Sequence, residues 1–297
     1  MINFPEPDDK RCLQLLEASR PYLESLSNEM KIDYVQPDYF QKIVVPLSVY
    51  LLNLPEREKP YFIGLNGGQG SGKTTLSDFV QVVLSDVSNK SVTGFSIDDI
   101  YKTREEREKQ SKEIHPLCKV RGVPGTHDIQ MGLEVLDRLC SANKDTLTPI
   151  PSFSKPLDRH KPKEDWKVFQ GKPDYIFFDA WCAGVRPISE ENWKPPMNAL
   201  EKEEDPDGIW SKWSNKELEG NYQDLFGRFD LLLMIKVPGI EYVYESRWLQ
   251  EQTLAKTIKD PKLKDKIMTK EQVYRLSLIH ISEPTRLLSI SYAVFCL

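Results

Sequence analysis

The chain has 297 residues, 39% hydrophobic and 29% charged, and its 40 Lys+Arg against 45 Asp+Glu leave a formal charge of −5. A chain of this length can bury roughly three quarters of its unfolded surface, and the mixed, slightly acidic composition excludes a disordered chain, a membrane-spanning chain and a protein that grips nucleic acid through a basic field. Five scattered cysteines, Cys12, Cys118, Cys140, Cys182 and Cys296, include no CxxC pair, which argues against a disulfide framework or a zinc site and for a reducing compartment.

The amino terminus, MINFPEPDDKR, lacks the apolar stretch of a secretory leader and the Arg/Ser bias of a transit peptide, so a cytoplasmic location is expected, with the nucleus left open. Residues 9–54 carry apolar positions at helical spacing, broken near Pro37 and closed by Pro55, which predicts two or more helices ahead of the main domain. The run Tyr61 to Leu65 then predicts a strand, and Lys73 to Leu84 an amphipathic helix. Between them, Gly67-Gly68-Gln69-Gly70-Ser71-Gly72-Lys73-Thr74, followed by Thr75, satisfies GxxxxGK[ST]. Glycines without Cβ let main-chain amides wrap phosphate oxygens, and the following helix N-terminus adds its positive end. Lys73 would reach the β- and γ-phosphates, and the Thr74 hydroxyl would ligate Mg²⁺.

A second strand, Ser91 to Ile97, runs into Asp98-Asp99, where phosphoryl transfer to a hydroxyl needs a carboxylate. Successive residues of an extended chain face opposite sides, so one of the pair is expected to meet the γ-phosphate. Asp98 is taken as the base, Asp99 stays open, and capping of the helix predicted from Thr103 to Lys112 is the competing role for either. Arg121-Gly-Val-Pro-Gly-Thr-His127-Asp128 combines turn formers with a cation, a hydroxyl and an imidazole; its competing role is a loop capped by Asp128 before a helix over 128–141. Lys155, Arg159 and His160 form a second cationic group in the polar stretch 149–173, either facing an anionic acceptor or exposed on a loop. Asp179 ends the apolar run Tyr175 to Phe178, where a Mg²⁺-holding carboxylate and a plain chain exit are both expected. The connections 149–173 and 184–228 exceed ordinary loop lengths and are read as functional insertions packed by tryptophans. After a strand over 230–237, Arg247 is either an arginine closing over the site or a helix-surface partner of Glu251. His115, His127, His160 and His280 lack metal-ligand spacing.

Leu276 to Arg286, LSLIHISEPTR, matches the translation of a transposase-type sequencing-library adapter. Residues 276–297 are therefore read as non-native and set apart from the fold, with a C-terminal strand as the alternative; the native C-terminus is expected to be missing.

Strands alternating with helices predict an α/β fold with a mainly parallel, doubly wound sheet. GLNGGQGSGKTT from Gly64, SIDDIYKT from Ser96, RGVPGTHD from Arg121, FFDAWCAGVRP from Phe177 and MTKEQVYR from Met268 together resemble the D-glycerate 3-kinase-like P-loop kinases, especially their fungal branch. The resemblance spans about residues 10–275 and implies the wider uridine kinase, phosphoribulokinase and pantothenate kinase group. It further implies a three-layer P-loop fold over 57–275 behind a helical extension over 1–56, MgATP as donor, and a small-molecule hydroxyl acceptor, D-glycerate first. By motif, Lys73 and Thr74 take the phosphate and Mg²⁺ roles, Asp98 the base role, and Arg121, His127 and Asp128 the acceptor side. Two departures fall in the acceptor half. Where the family has Pro-x-Tyr-Asp-Lys-Ser and Gly-x-Gly-Asp-Arg, this chain has Pro151-Ser-Phe-Ser-Lys-Pro156 and Leu157-Asp-Arg-His160; where the family has Glu-Gly-Trp, Asp179-Ala-Trp181 stands. A same-fold kinase for another acid, sugar or nucleoside, and an ATP-binding regulatory protein with weak or lost phosphotransfer, are the alternatives. Neither nucleic acid nor membrane is expected as a partner, and nothing in the sequence indicates an oligomeric state.

Overall fold

The computed structural model of the chain describes residues 3–32, 38–193, 196, 198–237, 239–257, 268–279 and 294–296. Pro37, His280 and most of the segment 276–297 lie outside them. The apolar run after Pro60 forms β1 (Tyr61–Gly67), which is the centre of a sheet because six of its seven residues are buried. Two further strands lie parallel to it: β7 (Tyr175–Asp179), with Leu65 opposite Asp179, and β8 (Leu231–Lys236), with Gly67 opposite Ile235. Outside β7 runs β2 (Val92–Ser96), and outside β8 runs β9 (Val294–Cys296), for a parallel order β2-β7-β1-β8-β9. Parallel strands are joined by crossovers that leave all carboxyl ends on one side, so Gly67, Ser96, Asp179 and Lys236 end at the same rim of the sheet.

Alternation along the strands divides the core into two layers. On one face Ile63, Leu65, Phe177 and Leu233 pack with Leu76, Phe79 and Val80 of α3 (Lys73–Val82) and with α1 (Lys10–Glu29) and α2 (Val45–Leu52). The N-terminal helices thus share the core of the helix that follows the glycine-rich loop. On the other face Phe62, Phe95, Ile176 and Phe178 pack with Leu133 and Leu136 of α5 (Ile129–Ser141) and with Leu225 of α8 (Gln223–Phe226). The result is the three-layer α/β architecture expected from the sequence.

The long polar connections carry structure of their own. Residues 147–170 form two small antiparallel pairs, β3 (Leu147–Ile150) with β6 (Lys167–Gln170) and β4 (Phe153–Ser154) with β5 (Arg159–His160). Their sequence lacks an apolar run because one face stays wet; Leu147 and Val168 are more than half exposed. The second connection folds into α6 (Ala199–Glu204), α7 (Ile209–Glu217) and α8, anchored by the buried Trp210. Two further helices, α9 (Ile240–Thr257) and α10 (Lys270–Ile279), follow β8. The second strand is shorter than expected: it stops at Ser96, and a 3₁₀ turn, Ile97–Ile100, carries both aspartates toward α4 (Arg104–Glu113). No helix among the described residues is long and apolar enough to cross a membrane.

Candidate active site

The glycine-rich loop leaves β1 at Gly67 and enters α3 through Gly72, whose φ of +85° makes it a left-handed N-cap with no side-chain cap. The first amides of α3 are therefore left to a ligand, the arrangement in which a helix N-terminus binds an anion. Gly70 is also left-handed, at φ +74°, and α9 lies so close that a Cβ there would stand 2.5 Å from the Ser246 Cβ. The buried Ser71 hydroxyl within the loop has no hydrogen-bond partner among the described residues. Lys73 Nζ donates to the Gly67 and Gly68 carbonyls at 2.8 and 2.9 Å and lies 3.9 Å from Asp179 Oδ1. Burial pushes its pKa below the ordinary lysine value, with Asp179 and Asp98 pulling the other way. Thr74 Oγ1 donates to Asp179 Oδ2 at 2.7 Å. Thr75 is half-buried behind this edge.

The 3₁₀ turn separates the two aspartates by function. Asp99 turns back, accepting from the Ser96 amide as the far half of a capping box and from the Phe153 amide at 3.3 Å. Burial raises its pKa. Asp98 instead points into the site, accepting from Tyr101 Oη at 2.7 Å and from Lys155 Nζ at 2.5 Å. Burial alone would raise the Asp98 pKa, but the Lys155 ammonium and the bonds from Lys155 and Tyr101 outweigh it and hold this carboxyl well below the usual range. Thr103, not an aspartate, caps α4.

On the far side, Arg121 Nη1 donates to Asp158 Oδ1 at 2.5 Å and to the Lys155 carbonyl at 3.1 Å, its guanidinium lying over the Phe153 ring at 5.4 Å. Arg107, only 2% exposed, bonds the same Asp158 oxygen at 2.6 Å and the Lys102 and Lys119 carbonyls. The RGVPGTHD loop is held from beneath. Tyr222 Oη accepts from the Gly125 amide at 2.9 Å and meets His127 Nδ1 at 2.7 Å, while Trp181 Nε1 donates to the Gly122 carbonyl at 2.9 Å. His127 is stacked under Tyr101 and buried, and Asp128 caps α5 through the Met131 amide. Arg159 is exposed on β5. His115 and His160 are hydrogen-bonded, and no group of three or more His, Cys, Asp or Glu side chains suited to a metal occurs among the described residues.

Two cavities meet here. One of about 480 Å³ runs from Gln69, Gly70, Lys73 and Thr74 past Asp179 and Asp98 to Trp181. The other, of about 320 Å³, is lined by Tyr101, Arg107, Arg121 and Asp158. Gln69, Asp98, Lys155 and Arg247 line both. Arg247, on α9, lines both cavities beside the glycine-rich loop, one helical turn from Glu251; burial lowers its pKa and the Glu251 charge counteracts. Of the residues assigned to the acceptor from sequence, Arg121 and Lys155 line the cavities, whereas His127, Asp128 and Arg159 do not. Sequence reasoning missed Tyr101, Arg107 and Asp158. Arg107 sits in a Glu/Lys-rich helix that reads as solvated, and no local signal marks it.

The arrangement combines a phosphate cradle, a hydroxyl–carboxylate pair suited to a phosphate-supported Mg²⁺, and an ionised aspartate opposite a cationic wall. Mg²⁺ is usually held by one or two protein groups together with phosphates, which Thr74 and Asp179 fit. No family model matches the chain. It is 30% identical over 230 residues to an uncharacterized kinase of Schizosaccharomyces pombe, mug58, covering 71% of this chain and 78% of that protein. It is 29% identical over 204 residues to the chloroplastic D-glycerate 3-kinase of Arabidopsis thaliana, covering 66% of this chain and 41% of that protein. Among solved structures, a D-glycerate 3-kinase from Cryptococcus neoformans superposes with a TM-score of 0.59 at 22% identity, over 80% of this chain and 83% of that one. That likeness speaks for the fold alone.

Proposed function

The chain belongs to the glycerate-kinase-like family of P-loop kinases, which are phosphotransferases, and on that premise we propose that it transfers the γ-phosphoryl group of ATP to a hydroxyl of D-glycerate. The observation that carries this reading is that Asp98 lines both cavities, with the phosphate loop on one side and Arg107 and Arg121 on the other. A hydroxy acid has the two groups such a site addresses, a hydroxyl for Asp98 and an anion for the arginines.

The geometry supports the following roles. Amides from Gly68 to Thr74 wrap the β- and γ-phosphates, and Lys73 exchanges its bonds to two loop carbonyls for phosphate oxygens. Thr74 and Asp179 are the residues that would hold Mg²⁺, which when bound would supply charge that neutralises the phosphates. Asp98 accepts a hydrogen bond from the acceptor hydroxyl and aims its oxygen at the γ-phosphorus. The acceptor O–P bond forms as the bond to the β-phosphate oxygen breaks, the hydroxyl proton passes to Asp98, and ADP leaves. Asp98 chiefly orients the hydroxyl and takes the proton late, as a loose transition state permits. Lys155 and Arg247 stabilise charge on the transferring group.

The test is an ADP-release screen over D-glycerate, glycerol, other hydroxy acids, sugars and nucleosides, with the product of each positive reaction identified. D-glycerate-dependent ADP release with a phosphoglycerate product is expected. Turnover on another acceptor alone overturns the substrate, and ATP binding with no acceptor-stimulated turnover overturns the transfer.

A further inference from the structure

The smaller cavity contains its own anion. Arg107 and Arg121 converge on a single oxygen of Asp158, at 2.6 and 2.5 Å. This satisfies only part of what two guanidinium forks offer; an external carboxylate can present one oxygen to each. Asp158 reaches them from the tip of the β4–β5 hairpin, whose strands have two residues each, and it does so in a left-handed conformation at φ +52°, unusual for a residue with a Cβ. The same tip supplies Lys155 to Asp98. One short hairpin therefore occupies both halves of the acceptor site, a cation on the carboxylate that would receive the hydroxyl and a carboxylate on the cations that would receive an acid.

We propose that Arg107 and Arg121 are the carboxylate site of the acceptor, and that Asp158 fills it as an internal surrogate which the substrate's carboxylate displaces. The identity of the acid rests on the D-glycerate reading; the carboxylate site does not. Arg107 keeps its bonds to the Lys102 and Lys119 carbonyls when Asp158 leaves, and Arg121 keeps its ring contact with Phe153, so the site is built before substrate arrives. An acceptor bearing both hydroxyl and carboxylate replaces Lys155 at Asp98 and Asp158 at the arginines together. An alcohol without the acid displaces neither arginine contact. The surrogate thereby selects hydroxy acids and keeps the arginines paired between turnovers.

The experiment is calorimetric binding to the full-length chain without nucleotide, using D-glycerate, glycerol and inorganic phosphate as probes. Asp158→Asn keeps the volume and tolerates the left-handed conformation, and Asp158→Gly removes the conformational cost as well. Both variants are expected to bind D-glycerate at least about ten-fold tighter than the parent, with glycerol unchanged and phosphate gaining less. Adding Arg121→Lys to Asp158→Asn should abolish the gain, because an ammonium lacks the planar fork. Unchanged or weaker D-glycerate binding in both Asp158 variants overturns the proposal and makes Asp158 a brace for the arginines; a gain confined to phosphate overturns the carboxylate class. Turnover is scored separately. Tighter D-glycerate binding without its phosphorylation retires the kinase reading of this acid and keeps the site, whereas phosphorylation with no change in affinity does the reverse.

Discussion

Substituting Gly70 by alanine tests how α9 and the glycine-rich loop depend on each other. Two costs are readable from the structure. The backbone at φ +74° costs an L residue about 1–2 kcal/mol. The new Cβ would also stand 2.5 Å from the Ser246 Cβ, far inside contact distance, and such overpacking costs about 1–3 kcal/mol. Together they reach about 2–5 kcal/mol, and since each 1.4 kcal/mol is tenfold in affinity, ATP binding should weaken by roughly tens- to thousands-fold if the loop yields. If the loop holds its shape, the same energy appears as a lowered melting temperature. Ser246→Gly separates the two parts: it removes the clashing Cβ and leaves ordinary contacts of 3.4 and 3.5 Å to the backbone of residues 246 and 247, but not the backbone strain. Alone it should cost about 1 kcal/mol as a glycine in a helix. Combined with Gly70→Ala it should recover the packing part, so the double-mutant cycle should return a favourable coupling of about 1–3 kcal/mol. ATP titration calorimetry and thermal denaturation of all four proteins measure this. Strictly additive effects, or a Gly70→Ala protein with unaltered ATP affinity and melting temperature, would refute the claim that α9 is seated on the loop.

Three further outcomes are expected. Asp98→Asn should lower turnover by about 10²–10⁴ while leaving ATP affinity nearly intact, and Asp99→Asn should instead lower stability by about 1 kcal/mol through the lost capping box; the opposite pattern in steady-state kinetics and melting would reverse the two assignments. Tyr222→Phe removes the hydroxyl that accepts from the buried Gly125 amide and meets His127, and should cost about 1–3 kcal/mol in denaturant unfolding; an unchanged midpoint would show the loop to be braced elsewhere. Asp78, in the wall of the larger cavity, has its pKa pushed up to about 6 by burial. Because the folded value lies above the unfolded one, the ionised carboxylate opposes folding above pH 6, and this penalty fades as pH falls from 6 to about 4. Asp78→Asn should therefore stabilise the protein by about 1 kcal/mol at pH 7.5, after allowance for solvent screening, and by little at pH 4; an equal gain at both pH values would contradict the raised pKa.

The phosphate half of the site was legible because it is local. Eight consecutive residues, Gly67 to Thr74, carry the loop, the lysine and the hydroxyl, and a strand before and a helix after them are visible as apolar runs of the right period. Asp179 was legible for a related reason, since it ends the strand paired in register with the one that feeds the loop. The acceptor half was read only in outline. Arg121 and Lys155, expected on the acceptor side, line the cavities, whereas His127 and Asp128, from the same motif as Arg121, are bonded to the Tyr222 hydroxyl and the Met131 amide. A 3₁₀ turn stands where strand alternation predicts an extended chain, and a capping box rather than a pleat separates Asp98 from Asp99.

By itself, then, the chain's linear order points to the layered parallel sheet and the glycine-rich loop, while the meeting of Thr74 with Asp179, 105 residues on, is made by the sheet. Only the tertiary structure decided what faces the cradle. Arg107 lies in a stretch, REEREKQSKE, with every mark of a solvated helix, yet it is buried by the Lys119 carbonyl and by Asp158, 12 and 51 residues away. The physical reason is one of range. Hydrophobic period and amide geometry act over a few residues and leave their signature in the sequence, whereas an ion pair between distant loops depends on where the packed core happens to bring their ends.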